Sequence, residues 1–169
     1  VRARVTGILE RRLYAEGSAV KAGQPLFTID PKPLEAQAAA AQAEVARAQA
    51  QLAQAEREAA RLKPLAERRA VGQKEADDAL SAAELARASL NVAKAKLAEV
   101  DLNLGYTRVA APVAGLSSRA MKSEGSLVTA NDTLLTVISQ VDPIWVPFNV
   151  SENDRLAIDR AVAAGRLAL

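Results

Sequence analysis

The residues that could carry chemistry are few, and their types narrow the options at once. The 169-residue chain has no histidine and no cysteine. The commonest general base and the soft thiolate metal ligand are therefore both missing. Nucleophilic catalysis by a Ser–His or Cys–His pair is excluded within the chain. One triplet, Ala120-Met121-Lys122, imitates the sequence around a biotin-carrying lysine. A carrier lysine must stand on the turn joining two half-domains, and Lys122 falls in the middle of a half. The neighbouring carboxylates Asp77 and Asp78 lie at an expected helix start, where negative charge is favourable. They do not read as an acid–base pair. No cofactor, metal or enzymatic activity is expected. Basic and acidic residues nearly balance, 22 against 20, which is not the footprint of a nucleic-acid binder. No apolar run reaches the roughly 18 residues of a membrane-spanning helix.

The elements that position these residues are set by a duplication. Residues 1–29 and 109–137 repeat at an offset of 108. Val1, Ala3, Val5, Gly7, Arg11, Glu16, Gly17, Ser18, Val20, Ala22, Leu26 and Thr28 all recur. Lys122 takes the place of Tyr14 in this register. Both copies read as short strands broken by turns. Gly7 and Gly17, with Gly115 and Gly125, stand where the apolar pattern stops, as expected of tight turns. Asn131 replaces Gly23, and Asn is the next most tolerant residue of a left-handed backbone. Neither half is large enough to bury a core alone. The halves must meet in space, and the insert of about eighty residues between them must leave and return.

The insert has a helical period. Asp30-Pro31 suggests an N-cap followed by proline at the first helical position. Leu34, Ala38, Ala41, Val45, Ala48, Leu52, Ala55, Ala59, Leu62 and Ala66 then form an unbroken heptad seam. A second seam runs through Ala76, Ala79, Ala83, Ala86, Leu90, Ala93, Leu97, Val100 and Leu104. Half of the chain is hydrophobic but only 3% is aromatic, so thin alanine packing is expected rather than a thick core. Val71-Gly72 supplies the break between the helices, and Pro64 is placed to kink the first. The result is an antiparallel hairpin whose arms are each about 45 Å long at 1.5 Å per residue. Its base should bring Asp30 beside Tyr106.

The expected class is α+β: a β-sandwich split by a long antiparallel coiled-coil hairpin, followed by part of another domain. The divisions are 1–30 for the first half, 31–105 for the hairpin, 106–140 for the second half and 141–169 for the remainder. Within the hairpin, helices are expected over about 33–66 and 74–104, with a tip at about 67–73. After Asp142-Pro143, residues Ile144–Val150 read as a strand. Ser151 caps a helix reaching about Ala164, Gly165 ends it, and Arg166–Leu169 begins another strand. The chain reads as a fragment of a longer protein.

The half-repeats resemble the two halves of a lipoyl- or biotinyl-type domain. The matching signatures are Val5-x-Gly7-Ile8 with Glu16-Gly17-x-x-Val20-x-x-Gly23, and Ala111-Pro112-x-x-Gly115 with Glu124-Gly125-x-x-Val128. A lipoyl-like domain split by a hairpin is similar to the periplasmic adaptors, or membrane fusion proteins, of resistance-nodulation-division (RND) efflux pumps. Gly17-Ser18-x-Val20-Lys21-Ala22-Gly23-Gln24-Pro25-Leu26-x-x-Ile29-Asp30-Pro31 and Asp142-Pro143-Ile144-Trp145-Val146 strengthen the likeness. The resemblance implies a non-enzymatic adaptor, located in the periplasm and anchored to the inner membrane through parts outside this chain. It implies that the remainder begins a β-barrel. The implied partners are an inner-membrane RND-type transporter, an outer-membrane channel and further copies in a ring, commonly of six. It also implies a docking motif, Arg-x3-Leu-x6-Ser, at the hairpin tip. Arg61 and Leu65 match, and Gly72 stands where the serine is expected. Arg68 and Val71 complete the candidate docking residues. Two alternatives stay open: an adaptor of an ABC-type exporter or type I secretion system, and a biotinyl or lipoyl carrier.

Overall fold

A computed structural model describes residues 1–143, 147, 149 and 151–166. The chain forms two compact units, Val1–Ser139 and Gln140–Leu169. The strand expected over Ile144–Val150 and that over Arg166–Leu169 fall largely outside the described residues.

In the first unit, β1 (Gly7–Arg12), β2 (Ala19–Val20) and β3 (Pro25–Ile29) precede α1 (Lys32–Glu67) and α2 (Gln73–Gly105). β4 (Arg108–Ala110), β5 (Gly115–Ser117), β6 (Leu127–Val128) and β7 (Ile138–Ser139) follow. One sheet has the order β4-β3-β1-β6, the other β2-β5-β7. Each sheet therefore mixes strands from both halves of the repeat. Gly7 pairs with Val128 and Gly115 with Val20; Ile8 pairs with Leu127 and Leu116 with Ala19. Every pair maps onto its partner at the offset of 108, so the halves are related by a pseudo-two-fold exchange. One core results, built from Leu9, Val20, Leu26, Phe27 and Ile29 of the first half with Val109, Val128 and Leu135 of the second. The ring of Tyr14 meets Phe27 edge-on at 5.3 Å, and its hydroxyl donates to the Ser118 carbonyl at 3.1 Å.

The repeated glutamates hold this exchange together. Glu124 Oε1 accepts the Arg12 N–H at 2.7 Å, and Glu16 Oε1 accepts the Ala120 N–H at 2.9 Å. These two bonds are again related by the repeat. Each satisfies a backbone donor of the opposite half, which explains a Glu-Gly pair in both copies.

The glycines divide into two kinds, which corrects the turn reading of Gly7 and Gly115. Gly17 and Gly125 do have positive φ, 75° and 83°. Asn131 takes over the role of Gly23 at φ 62° against 79°. Gly7 and Gly115 instead are the first residues of β1 and β5. A Cβ at Gly115 would stand 2.4 Å from the Ser139 carbonyl oxygen, and one at Gly7 would stand 2.7 Å from Ile29 Cγ2. They are small because another element passes over them.

The hairpin leaves and re-enters at adjacent points: Ile29 N–H donates to the Thr107 carbonyl at 2.8 Å. The start of α1 differs from the expectation. The Asp30 carboxylate does accept a backbone N–H, that of Lys32 at 3.1 Å. The first helical bond, however, runs from Glu35 N–H to the Pro31 carbonyl, so Pro31 takes the cap position and Pro33 lies in the first turn. Proline is tolerated there because its missing N–H has no helical acceptor. Along both arms, every residue of the two heptad seams is buried or half-buried. Ala48, Leu90 and Ala93 form a small cluster midway, flanked by Val45 and Leu52. Arg87 of α2 reaches Glu56 of α1 at 2.7 Å across the seam.

In the second unit, α3 (Glu152–Ala163) begins at Ser151, whose hydroxyl accepts the Asp154 N–H at 3.2 Å. It ends at Gly165 with φ 65°.

Candidate functional site

The far end of the hairpin is a tight reversal. α1 passes through Pro64 and stops at Glu67, with Arg68 as its C-cap. Arg69 N–H donates to the Ala66 carbonyl at 2.9 Å, and Ala70 N–H donates to the Leu65 carbonyl at 2.8 Å. These paired bonds are a Schellman closure, which needs a left-handed residue between them. That residue is Arg69, at φ 58°. The same closure ends α3 with glycine in the left-handed place: Gly165 N–H meets the Val162 carbonyl and Arg166 N–H the Ala161 carbonyl. The chain reversal is thus made at Arg69, which corrects the assignment of the break to Val71-Gly72. Gly72 has φ −68° and ψ 141°, an extended conformation open to any residue. It serves as the N-cap of α2 and supplies no side-chain cap.

The five candidate residues fall within two turns of this reversal but do not converge on one pocket. Arg61 projects from α1 at a position off the seam. Its Nη2 donates to both carboxylate oxygens of Glu58 at 2.6 Å. Those hydrogen bonds, and then the charge of Glu58, push the Arg61 guanidinium above its ordinary pKa. The pair is exposed, 68% for Arg61 and 45% for Glu58. Solvent screens an exposed pair of this kind, so it adds little to stability. Leu65 and Val71 are half-buried, while Arg68 and Gly72 are exposed. One turn back from the tip, Ala59, Ala66 and Ala76 floor a groove of about 360 Å³ walled by Lys63, Gln73 and Leu80. Leu80 is 56% exposed there.

Sequence reasoning missed the reversal at Arg69. Its only signal was position, three residues before a glycine that drew attention away from it. Lys122 lies in a bend between β5 and β6 and is exposed. The link between the two halves is made by α1 and α2, so the lysine does not occupy the place a carrier turn would have.

A sandwich closed by exchange of two halves, with a long hairpin thrown out from between them, defines a class of scaffold that presents a tip at a distance from its base. Residues 1–140 match the family described as the RND MFP barrel-sandwich hybrid domain. The chain belongs to this family of RND membrane fusion proteins, which are adaptors and not enzymes. It is 44% identical over 168 residues to the membrane fusion protein MtrC of Neisseria gonorrhoeae, covering 99% of this chain and 41% of that protein. It is 42% identical over 160 residues to the efflux pump periplasmic linker BepD of Brucella suis, covering 94% and 40%. The chain thus spans about two-fifths of the length of these relatives. Among solved structures, MacA from Actinobacillus actinomycetemcomitans aligns at TM-score 0.58 and 27% identity over 80% of this chain and 46% of that one. ZneB from Cupriavidus metallidurans shares the fold at TM-score 0.60 and 23% identity, over 83% and 60%.

Proposed function

We propose that the chain is the central part of a periplasmic adaptor in a tripartite efflux pump. It bridges an inner-membrane RND-type transporter to an outer-membrane channel. The sandwich of 1–30 and 106–140 forms the base, the hairpin of 31–105 the reach, and 141–169 the start of a β-barrel. Anchorage to the inner membrane lies in parts outside this chain. Several copies assemble side by side, in a ring commonly of six. The observation that carries the reading is the returning hairpin: both ends are fixed in one core, so the tip is held at a set distance from the base.

At the tip, Arg61, Leu65, Arg68, Val71 and Gly72 are the docking residues. Arg61 exchanges Glu58 for an acceptor on the channel, while Leu65 and Val71 offer apolar contact. Relatives named as a membrane fusion protein and as a periplasmic linker support the reading. The test is site-specific cross-linking in cells. Cysteine placed at Gly72 should link to an outer-membrane channel, and cysteine placed at Ala48, in the mid-hairpin seam, should not. Links at Ala48 with none at Gly72 would overturn tip docking.

A further inference from the structure

The tip places an arginine where the chain elsewhere places glycine or asparagine. We propose that Arg69 is a further docking residue, a cation that selects a partner presenting a carboxylate. The proposal rests on the tip docking proposed above and adds a residue outside the docking motif. Among the described residues, Gly17, Gly23, Gly125, Gly165, Asn131 and Arg69 hold positive φ. The first five are the residue types that tolerate this conformation. Arg69 alone carries a long side chain there, at φ 58°. The closure of α3 has the same bonding with Gly165 in that place, so the turn itself does not call for an arginine. Nor does the helix dipole. A cation at the end of α1 is favourable, but Arg68 already stands at the C-cap with φ −87°. Among the described residues, the Arg69 guanidinium has no carboxylate within ion-pair distance. Backbone strain with no use inside the chain points to a use outside it.

The neighbouring residues show what Arg69 offers that they do not. Arg61 is already engaged by both carboxylate oxygens of Glu58. Arg69 is exposed, yet its backbone is held from both sides. Its own N–H donates to the Ala66 carbonyl, and the next N–H, that of Ala70, donates to the Leu65 carbonyl. The guanidinium is therefore carried by a fixed point of the reversal, not by a fraying end. Residues 61–74 hold Arg61, Lys63, Arg68, Arg69 and Lys74 against one acid, Glu67. A surface of this charge favours an acidic partner and disfavours a basic one. An unpaired guanidinium adds a planar fork of donors that fits a carboxylate with two bonds. The occupant is thus a carboxylate side chain on the outer-membrane channel.

The test reads stability and docking on the same variants, because a structural role and a docking role give opposite signs. In the full-length protein in cells, the cross-link from Gly72→Cys to the channel measures docking at equal protein level. Amide exchange at Ala70 measures stability of the reversal. Arg69→Gly should slow that exchange and still lower the cross-link yield by roughly tenfold, the scale of an arginine anchor. Arg69→Gln keeps a long side chain but not the charge, and should lower the yield as much. Arg69→Lys keeps the charge and should retain most of the yield. If Arg69→Gly and Arg69→Gln cross-link like the parent, Arg69 has no part in docking, while tip docking stands. If only Arg69→Gly loses the link, the shape of the reversal matters and not the cation, which also overturns the proposal. A parent that does not cross-link at Gly72 sinks tip docking itself, and this inference with it.

Discussion

The sandwich and the hairpin bury their apolar residues in opposite ways. In the sandwich, large side chains from sequence-distant halves converge: Leu9, Leu26, Phe27 and Leu135 are wholly inaccessible. In the hairpin, burial is a single line. Ala48 of α1 and Leu90 and Ala93 of α2 are 5–7% exposed, while Leu85 and Val92 of α2 are each 70% exposed. Within the first unit, the two helices pack only against each other along their length and leave their outer faces uncovered. The base is therefore the rigid part, and the reach is a thin seam that depends on close approach through alanine. A device that must hold its foot fixed and present a distant end divides stability in this way.

The largest effect expected comes from truncating the base. Leu9→Ala should cost about 4 kcal/mol, at the upper part of the range for a buried leucine. Leu90→Ala should cost about 2 kcal/mol, because solvent and neighbouring side chains can relax into a two-layer seam. Paired thermal or denaturant unfolding measures both. Equal costs would break the contrast between a three-dimensional core and a linear one. Next come the two strand glycines, which compare the halves of the sandwich itself. At Gly115 the new Cβ meets a backbone carbonyl, whereas at Gly7 it meets the end of the Ile29 side chain. Gly115→Ala should cost about 3 kcal/mol and Gly7→Ala about 1 kcal/mol. The reverse order in the same unfolding experiment would show that β7 yields more easily than Ile29.

The hairpin was the more legible of the two regions. Its heptad seams are a local, periodic signal, and each seam residue named from that period is buried or half-buried. The sandwich was legible as a duplication, since Glu16 and Glu124 recur because each accepts a bond from the other half. The exchange of strands between sheets was not legible, because it depends on which edge meets which across more than a hundred residues. Gly7 and Gly115 misled for the same reason: a close approach by Ile29 or Ser139 leaves no mark near the glycine. The reversal was hidden because an arginine holds a conformation that usually selects glycine. Arg69→Gly should therefore stabilise the tip by about 1 kcal/mol, the penalty of a left-handed residue bearing a Cβ. Slower amide exchange at Arg69 and Ala70 would register it, and faster exchange would show that the arginine side chain offsets its own strain.

The smallest effect bears most directly on docking. Gly72 occupies the N-cap of α2, and Glu75 stands three residues on. A serine at position 72 would make Ser-x-x-Glu, the sequence of a capping box. A Cβ there meets nothing within 4 Å, and the backbone is already extended as a cap requires. Gly72→Ser should therefore add only a few tenths of a kcal/mol. The gain should appear as increased protection of the Gln73–Ala76 amides. The serine that the family motif places here then has a reading independent of any partner: its hydroxyl ends a helix. If Gly72→Ser slows exchange at these amides and leaves the proposed binding to a channel unchanged, the hydroxyl acts within the hairpin. If binding tightens while amide protection stays the same, the hydroxyl faces the partner. Glycine at this position would then be a true loss of a docking contact.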